Sequence, residues 1–341
     1  MQHYLACDNV LIDGITVRSK VNQNNDGIDI DGCHQVRIAN CDISSGDDAI
    51  VLKSTLDRAC KNVVVTNCIL NSDCNAFKLG TESNGGFENI TLSNCAIYDT
   101  RLAGLAVEMV DGGLLERVNL ANVVMRNVGC PIFIRLGNRA RPFKDGMATP
   151  AMGRLRNVTI ANVQADGANR IGCSITGLPE HAAESIALEN VRVSFVGGGT
   201  EADTRRPVPE QAEKYPEYAM FGTLPAYGFY CRHVNGLRFS NVKVACVSPD
   251  SRSALVCDDV EDLELFGWQA AAASKTRPTI GFTNVRHALL HGCRGPEDGL
   301  AFLRVEGKAS AKVRLLANDL ADSKSSVELG EGVDAKEVSV Q

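Results

Sequence analysis

The chain has 341 residues, with 35 lysines and arginines against 41 aspartates and glutamates and a formal charge of −6. With 44% hydrophobic and 22% charged residues it has the composition of an ordinary folded protein, which excludes a mostly disordered chain. The acidic balance argues against a general nucleic-acid binder, which needs a basic face. No run approaches the roughly 18 apolar residues of a membrane-spanning helix, so no membrane partner is expected.

Met1 runs almost directly into repeat-like sequence at Cys7, without a charged start, an apolar run and a cleavage site. The expectation is either an intracellular chain or one lacking its natural beginning. CDNVLIDGITV at Cys7 is followed by CHQVRIANCDI at Cys33, CKNVVVTNCIL at Cys60, FENITLSNCAI at Phe87 and LERVNLANVVM at Leu115. Related segments begin at Leu155, Ala183 and Val234, and weaker ones at Val260 and Val285. The first starts are 26, 27, 27 and 28 residues apart, and later gaps of 40 and 51 imply insertions near 137–152 and 197–227.

Each unit reads as two short strands of alternating β-formers hinged at an asparagine: Asn40, Asn67, Asn94, Asn122, Asn162, Asn190 and Asn241. Asparagine tolerates left-handed backbone, and its amide can bond the next asparagine in a stack. A unit this short cannot bury its own apolar face and must stack on its neighbours. The expected fold is all-β: one right-handed, single-stranded parallel β-helix of about ten coils, forming a single domain over residues 1–341. A leucine-rich horseshoe would need an LxxLxLxxN pattern and an intervening helix, and neither is present.

A third strand per coil lies between these segments. Ile28, Ile50, Phe77, Leu105 and Ile132 form one inward column, and Ile30, Leu52, Leu79, Val107 and Ile134 a second. The outward positions carry Asp29, Asp31, Lys53, Lys78, Glu108 and Arg135, an exposed column that is either a solvated face or a binding face. The thirteen cysteines form no paired CxxC clusters, which leaves a zinc site little support. Cys41, Cys68 and Cys95 recur every 27 residues, as small buried hydrophobes of the repeat would.

Asp26 leads one third strand, and Asp47 and Asp48 lead the next, one short coil later. Stacking brings the three carboxylates together, and like charges at such spacing raise at least one pKa. Hydrolysis of a glycosidic bond needs one carboxyl to protonate the leaving oxygen and another to activate water. Singly, Asp-Asp and Asn-Asp-Gly are equally at home as turn residues.

The sequences Asn24-Asn25-Asp26-Gly27-Ile28-Asp29 and Ser45-Gly46-Asp47-Asp48-Ala49-Ile50, followed by Lys53-Ser54, resemble glycoside hydrolase family 28, the polygalacturonases and rhamnogalacturonan hydrolases. Segments 77–90, 131–139 and 215–234 resemble a bacterial-type branch of that family. The resemblance implies a pectin-lyase-like solenoid and an inverting hydrolase of α-linked, galacturonic-acid-containing pectic glycans. It implies Asp47 as general acid, with Asp26 and Asp48 holding the water. It also implies no cofactor or metal, a monomer, an extracellular or periplasmic location, and several N-terminal coils that this chain lacks.

Two positions depart from the family. Cys74-Asn75-Ala76 stands where polygalacturonases have Gly-His-Gly, and Arg101 with Ala103-Gly104-Leu105 stands in the region of their Arg-x-Lys. A branched or mixed pectin substrate is compatible with that change. Lys53, Lys78, Arg135, Arg139, Arg232 and His233 are the candidate substrate-binding residues. A calcium-dependent β-helix lyase and a non-catalytic glycan-binding module remain open as other readings of the same cluster.

Overall fold

The computed structural model describes residues 1–270, 277–296 and 299–341. The described chain is all-β, and its only helices are two three-residue 3-10 turns, Asp203–Arg205 and Ala335–Glu337. The architecture is the right-handed parallel β-solenoid, with twelve turns against the ten or so expected. Tertiary contacts divide the chain into two compact units: Met1–Asp166 with Glu210–Met220, and Gly167–Pro209 with Phe221–Gln341.

In the first unit the third-strand face is a parallel ladder. Its members are Gln2–Leu5, Ile28–Asp31, Ile50–Ser54, Phe77–Ser83 and the final stretches of Phe87–Met109 and Leu114–Leu136. Register sets Ile28 against Ile50, Ile50 against Phe77, Phe77 against Leu105 and Leu105 against Ile132. The second inward column, Ile30 to Ile134, stacks in the same way, and all ten side chains are fully buried. Each contributes about 1.5–3 kcal/mol of hydrophobic stabilisation, so the alternation read from the sequence fixes which face turns inward.

The asparagine hinge is present as expected, with φ between 51° and 57° at all seven positions. In the first unit Asn67, Asn122 and Asn162 donate to Asn40, Asn94 and Asn122 at 3.4, 3.1 and 2.9 Å. A second left-handed column, Gln35, Asn62, Asn89, Arg117 and Asn157, bends the strands at the other corner. Cys41, Cys68 and Cys95 are buried, and all thirteen cysteines are free.

The second unit repeats the inward pattern, with Phe229 against Leu255, Leu255 against Ile280, and Ile280 against Leu303. Trp268 fills its core edge-on to Phe239 and Phe229, at centroid distances of 5.3 and 6.3 Å. A wholly buried pair, Arg252 and Asp250 at 2.7 Å, ties strand to loop, because Asp250 also accepts the Gly199 N–H and Arg252 donates to the Leu224 and Ala226 carbonyls. Residues 137–153 and 196–225 carry no strand, which is where the repeat spacing places its two insertions.

Candidate active site

Two tight turns on adjacent coils of the first unit build the site. Asn24 takes left-handed backbone at φ 51°, and the Asn25 amide donates to the Ser19 carbonyl. A Cβ on Gly27 would lie 2.3 Å from the Ala49 carbonyl oxygen, and one on Gly46 would lie 2.3 Å from the Asn25 amide oxygen. The two turns therefore nest only because glycine stands at both positions. Ser45 and Ser72 each donate to the Asp47 carbonyl at 2.6 Å, which fixes the backbone of the second turn.

This packing brings carboxylate oxygens of Asp26, Asp47 and Asp48 within 4.8 Å of one another. Their surroundings differ. Asp26 accepts from the Lys53 ammonium at 2.8 Å, and Lys53 also reaches Asp29 at 3.0 Å. Asp48 accepts from the Asn75 amide at 2.7 Å and the Asn75 N–H at 3.1 Å, with the Lys78 ammonium at 3.4 Å. Asp47 accepts the Asp48 N–H at 2.9 Å. Burial, then the charges of Asp48 and Asp26, push its carboxyl above the ordinary range. The neighbouring Cys74 thiol is pushed up to about 12 by burial and by Asp47 and Asp48, so it stays protonated.

The outward column is not the exposed face the alternation suggested. Asp29, Asp31, Lys78, Glu108 and Arg135 are at most 3% exposed. The segment Glu210–Met220 belongs to this unit and lies over the column as a strap. Its Tyr215 hydroxyl is 3.4 Å from the Lys78 ammonium, and its Glu217 carboxylate is 4.0 Å away. Lys78 therefore sits among Asp48, Glu108 at 3.7 Å and Glu217. Gly80 makes room for Glu108, since a Cβ there would meet the Glu108 side chain at 3.0 Å.

One ammonium cannot keep three carboxyls ionised. Burial alone would lower the Lys78 pKa, but Glu108 and Asp48 outweigh it and hold Lys78 charged. Burial pushes Glu108 up to about 8 and Glu217 up to about 7, against the partial relief that Lys78 gives each. Burial likewise pushes Asp29 up to about 7, with Lys53 opposing and Asp26 adding to the shift.

Lys53 and Lys78 thus join the aspartates, each bound to carboxylates. Arg139 grips Asp111 through Nε at 2.9 Å and through Nη2, and it reaches Glu82 at 3.2 Å. Its guanidinium and the Lys78 ammonium lie 5.5 and 5.3 Å from the centre of the half-exposed Tyr215 ring. Arg135 is buried and donates to the Glu210 and Gln211 carbonyls at 2.7 and 3.5 Å, anchoring the start of the strap. Arg232 and His233 belong to the second unit. There Arg232 donates to the Val208 and Pro209 carbonyls, and His233 pairs with Asp259 at 2.7 Å. Arg232 also lines a cleft of about 530 Å³ with Tyr230, Arg304 and Glu306.

Sequence reasoning missed Asn75 as a partner of Asp48, and it missed Glu217 altogether. The signal for Asn75 was its place one coil after Asp48. For Glu217 the signal was an acid inside the aromatic segment Tyr215–Tyr218. The three aspartates could in principle hold a cation, but two of them already have an ammonium within 3.4 Å that would compete with it.

No curated protein matches the chain. Among solved structures, the A-module of the mannuronan C-5 epimerase AlgE6 from Azotobacter vinelandii is 8% identical, covering 92% of this chain and 89% of its own, with a TM-score of 0.53. That likeness is one of fold. A hyperthermoactive exopolygalacturonase from Thermotoga maritima is 22% identical over 57% of this chain, with a TM-score of 0.48, and the match spans 45% of that enzyme. The profile of the glycosyl hydrolases family 28 matches residues 2–212, which include all three aspartates and end just inside the strap, before Tyr215 and Glu217. The chain belongs to glycosyl hydrolases family 28.

Proposed function

We propose that the protein is an inverting hydrolase of α-linked, galacturonic-acid-containing pectic glycans, of the family's bacterial-type branch, working as an extracellular or periplasmic monomer. The observation that carries this reading is the unequal treatment of three adjacent carboxyls. Asp26 and Asp48 are paired with Lys53 and Lys78, while Asp47 has two carboxylates beside it and a raised pKa. Environments that push neighbouring carboxyls apart separate an acid from a base. Asp47 then protonates the leaving oxygen, and Asp26 and Asp48 orient and deprotonate the attacking water. The half-exposed Tyr215 ring offers a flat face to a sugar.

Asp47→Asn tests the assignment. It should lower kcat by about 10²–10⁴-fold on pectic oligosaccharides while leaving the fold intact. The activity should fall on the alkaline limb as Asp47 loses its proton, at a pH above the ordinary aspartate range. One oxygen of each carboxylate lies within 4.8 Å of the other two, an edge-to-edge bound, whereas the stereochemical rule concerns the spacing of whole carboxyl groups. The product decides the stereochemistry: proton NMR should show the β-anomer first. An α-anomeric first product overturns inversion, and full activity in Asp47→Asn overturns the site.

A further inference from the structure

The second unit carries a cleft that the proposed chemistry leaves unused. Its floor is built by outward positions of stacked third strands. Tyr230, Val256, Gly281 and Arg304 form one column in register, and Arg232, Asp258, Thr283 and Glu306 form the other. Segment 204–208 of the insertion lines the cleft as well, and Arg232 ties that segment to the floor by donating to the Val208 and Pro209 carbonyls at 2.6 and 3.2 Å. The cleft holds about 530 Å³, in the range of ordinary ligand sites. Every lining residue belongs to the second unit, and the floor lies beyond residues 2–212 that match the family profile.

Arginine dominates the lining. Arg205, Arg206, Arg277 and Arg304 join Arg232 there, against the carboxylates of Asp258 and Glu306. Arg304 pairs with Glu306 at 3.1 Å and Glu328 at 3.7 Å. The others share their partners. Arg205, at 3.5 Å, and Arg277 share Glu201, while Arg206, at 3.6 Å, shares Asp203 with Arg170. Four guanidiniums thus face two carboxylates. Arg205 and Arg206 keep side-chain exposures of 76% and 48%. Exposed pairs of this kind are weak, so a ligand carboxylate can take the guanidiniums over in bidentate fashion.

Neighbouring coils stand about 4.8 Å apart, close to the rise of one sugar unit in an extended glycan. A glycan laid along the floor meets a new set of side chains at each unit. Guanidiniums receive its carboxylates, and Asp258, Glu306 and the Thr283 hydroxyl receive its ring hydroxyls.

We infer that this cleft is an accessory binding site for an acidic glycan, with Arg205 and Arg206 receiving its carboxylates. The choice of an acidic glycan rests on the function proposed above, whereas the site itself rests on the cleft and its arginines.

Calorimetric titration of the Asp47→Asn variant with hexagalacturonide tests the inference, because that variant spares the ligand. The isotherm should show two classes of site. Adding Arg205→Ala and Arg206→Ala should weaken one class by about tenfold or more and leave the other in place. A hexamer whose carboxylates have been reduced to alcohols should lose that same class on the variant with both arginines intact. An isotherm that the arginine changes do not move overturns the inference, as does equal binding of the reduced hexamer at that class. Inorganic phosphate competing at the hexamer's own concentration would reveal a site for small anions and overturns it too. The hydrolase reading fails separately. Two-site binding without cleavage by the wild type sinks the hydrolase and keeps the site, whereas cleavage without arginine-dependent binding sinks the site and keeps the hydrolase.

Discussion

The two units present the same pair of outward columns on the same kind of ladder, and they cover them to different extents. In the first unit Lys78 and Glu108 are buried beside Tyr215 and Glu217, Asp29 is buried against Lys53, and their pKa values move far from the ordinary. In the second unit Tyr230 and Arg232 of the column are buried as well, whereas Arg304 and Glu306 keep side-chain exposures of 43% and 41% and pair directly at 3.1 Å. Both columns are charged, so charge alone does not make the chemistry. Cover does, and around Lys78 it is the strap that removes water and raises the worth of each charge.

The largest expected effect follows from breaking the buried cluster. Lys78→Met leaves Asp48, Glu108 and Glu217 without their shared cation and should destabilise the protein by about 3–5 kcal/mol in urea unfolding. Removing Glu108 as well, in Lys78→Met/Glu108→Leu, should recover part of that loss. The matching change in the second unit, Arg304→Ala, should stay within about 0.5 kcal/mol of wild type. Equal losses in the two units would erase the contrast.

The same burial makes stability depend on pH. The folded Glu108 carboxyl titrates at about 8, against an ordinary value of 4.5. The folded state therefore holds a proton that the unfolded chain has already released. This contribution is full below about pH 4.5 and is lost as pH rises through 8. Thermal melting should fall across that interval, and Glu108→Gln should flatten the fall. Asp29 and Glu217, both at about 7, will keep some slope in the variant. A melting temperature that rises between pH 5 and 8 would show that these carboxyls are ionised throughout.

Arg135 separates a structural from a substrate role. As an anchor of the strap it donates to two backbone carbonyls from full burial. Arg135→Ala should cost about 1–3 kcal/mol through unsatisfied carbonyls and speed hydrogen exchange over 210–220. A raised KM with unchanged stability and exchange would instead make it a substrate contact.

The difference between the units also marks how far sequence reading reaches. The inward columns were legible because period-two alternation, repeated every 26 to 28 residues, leaves one face to bury. The aspartates were legible because the two glycines that let their turns nest, Gly27 and Gly46, sit beside them in the sequence. The cover was not. Tyr215 lies 137 residues from Lys78, and Glu210 lies 75 from Arg135. Alternation records which side chains leave the core and carries no trace of what later crosses over them. Lys53, Lys78 and Arg139 were therefore read as substrate-binding candidates without sign of the carboxylates of the same unit that hold each of them.

The smallest expected effect concerns a feature the units share. The asparagine hinge was expected to combine left-handed backbone with an amide ladder, but Asn67 is exposed and its bond to Asn40 is long, at 3.4 Å. What remains is backbone. At φ 54° a branched side chain is strained, so Asn67→Leu should cost about 1–2 kcal/mol, while Asn67→Gly should be near neutral. Asn241 in the second unit has φ 51° and a shorter bond, 2.8 Å to Asn190. If left-handed backbone sets the cost, Asn241→Leu and Asn67→Leu should shift the urea midpoint alike. If the amide ladder sets it, Asn241→Leu should cost more, and glycine should fail to rescue either site.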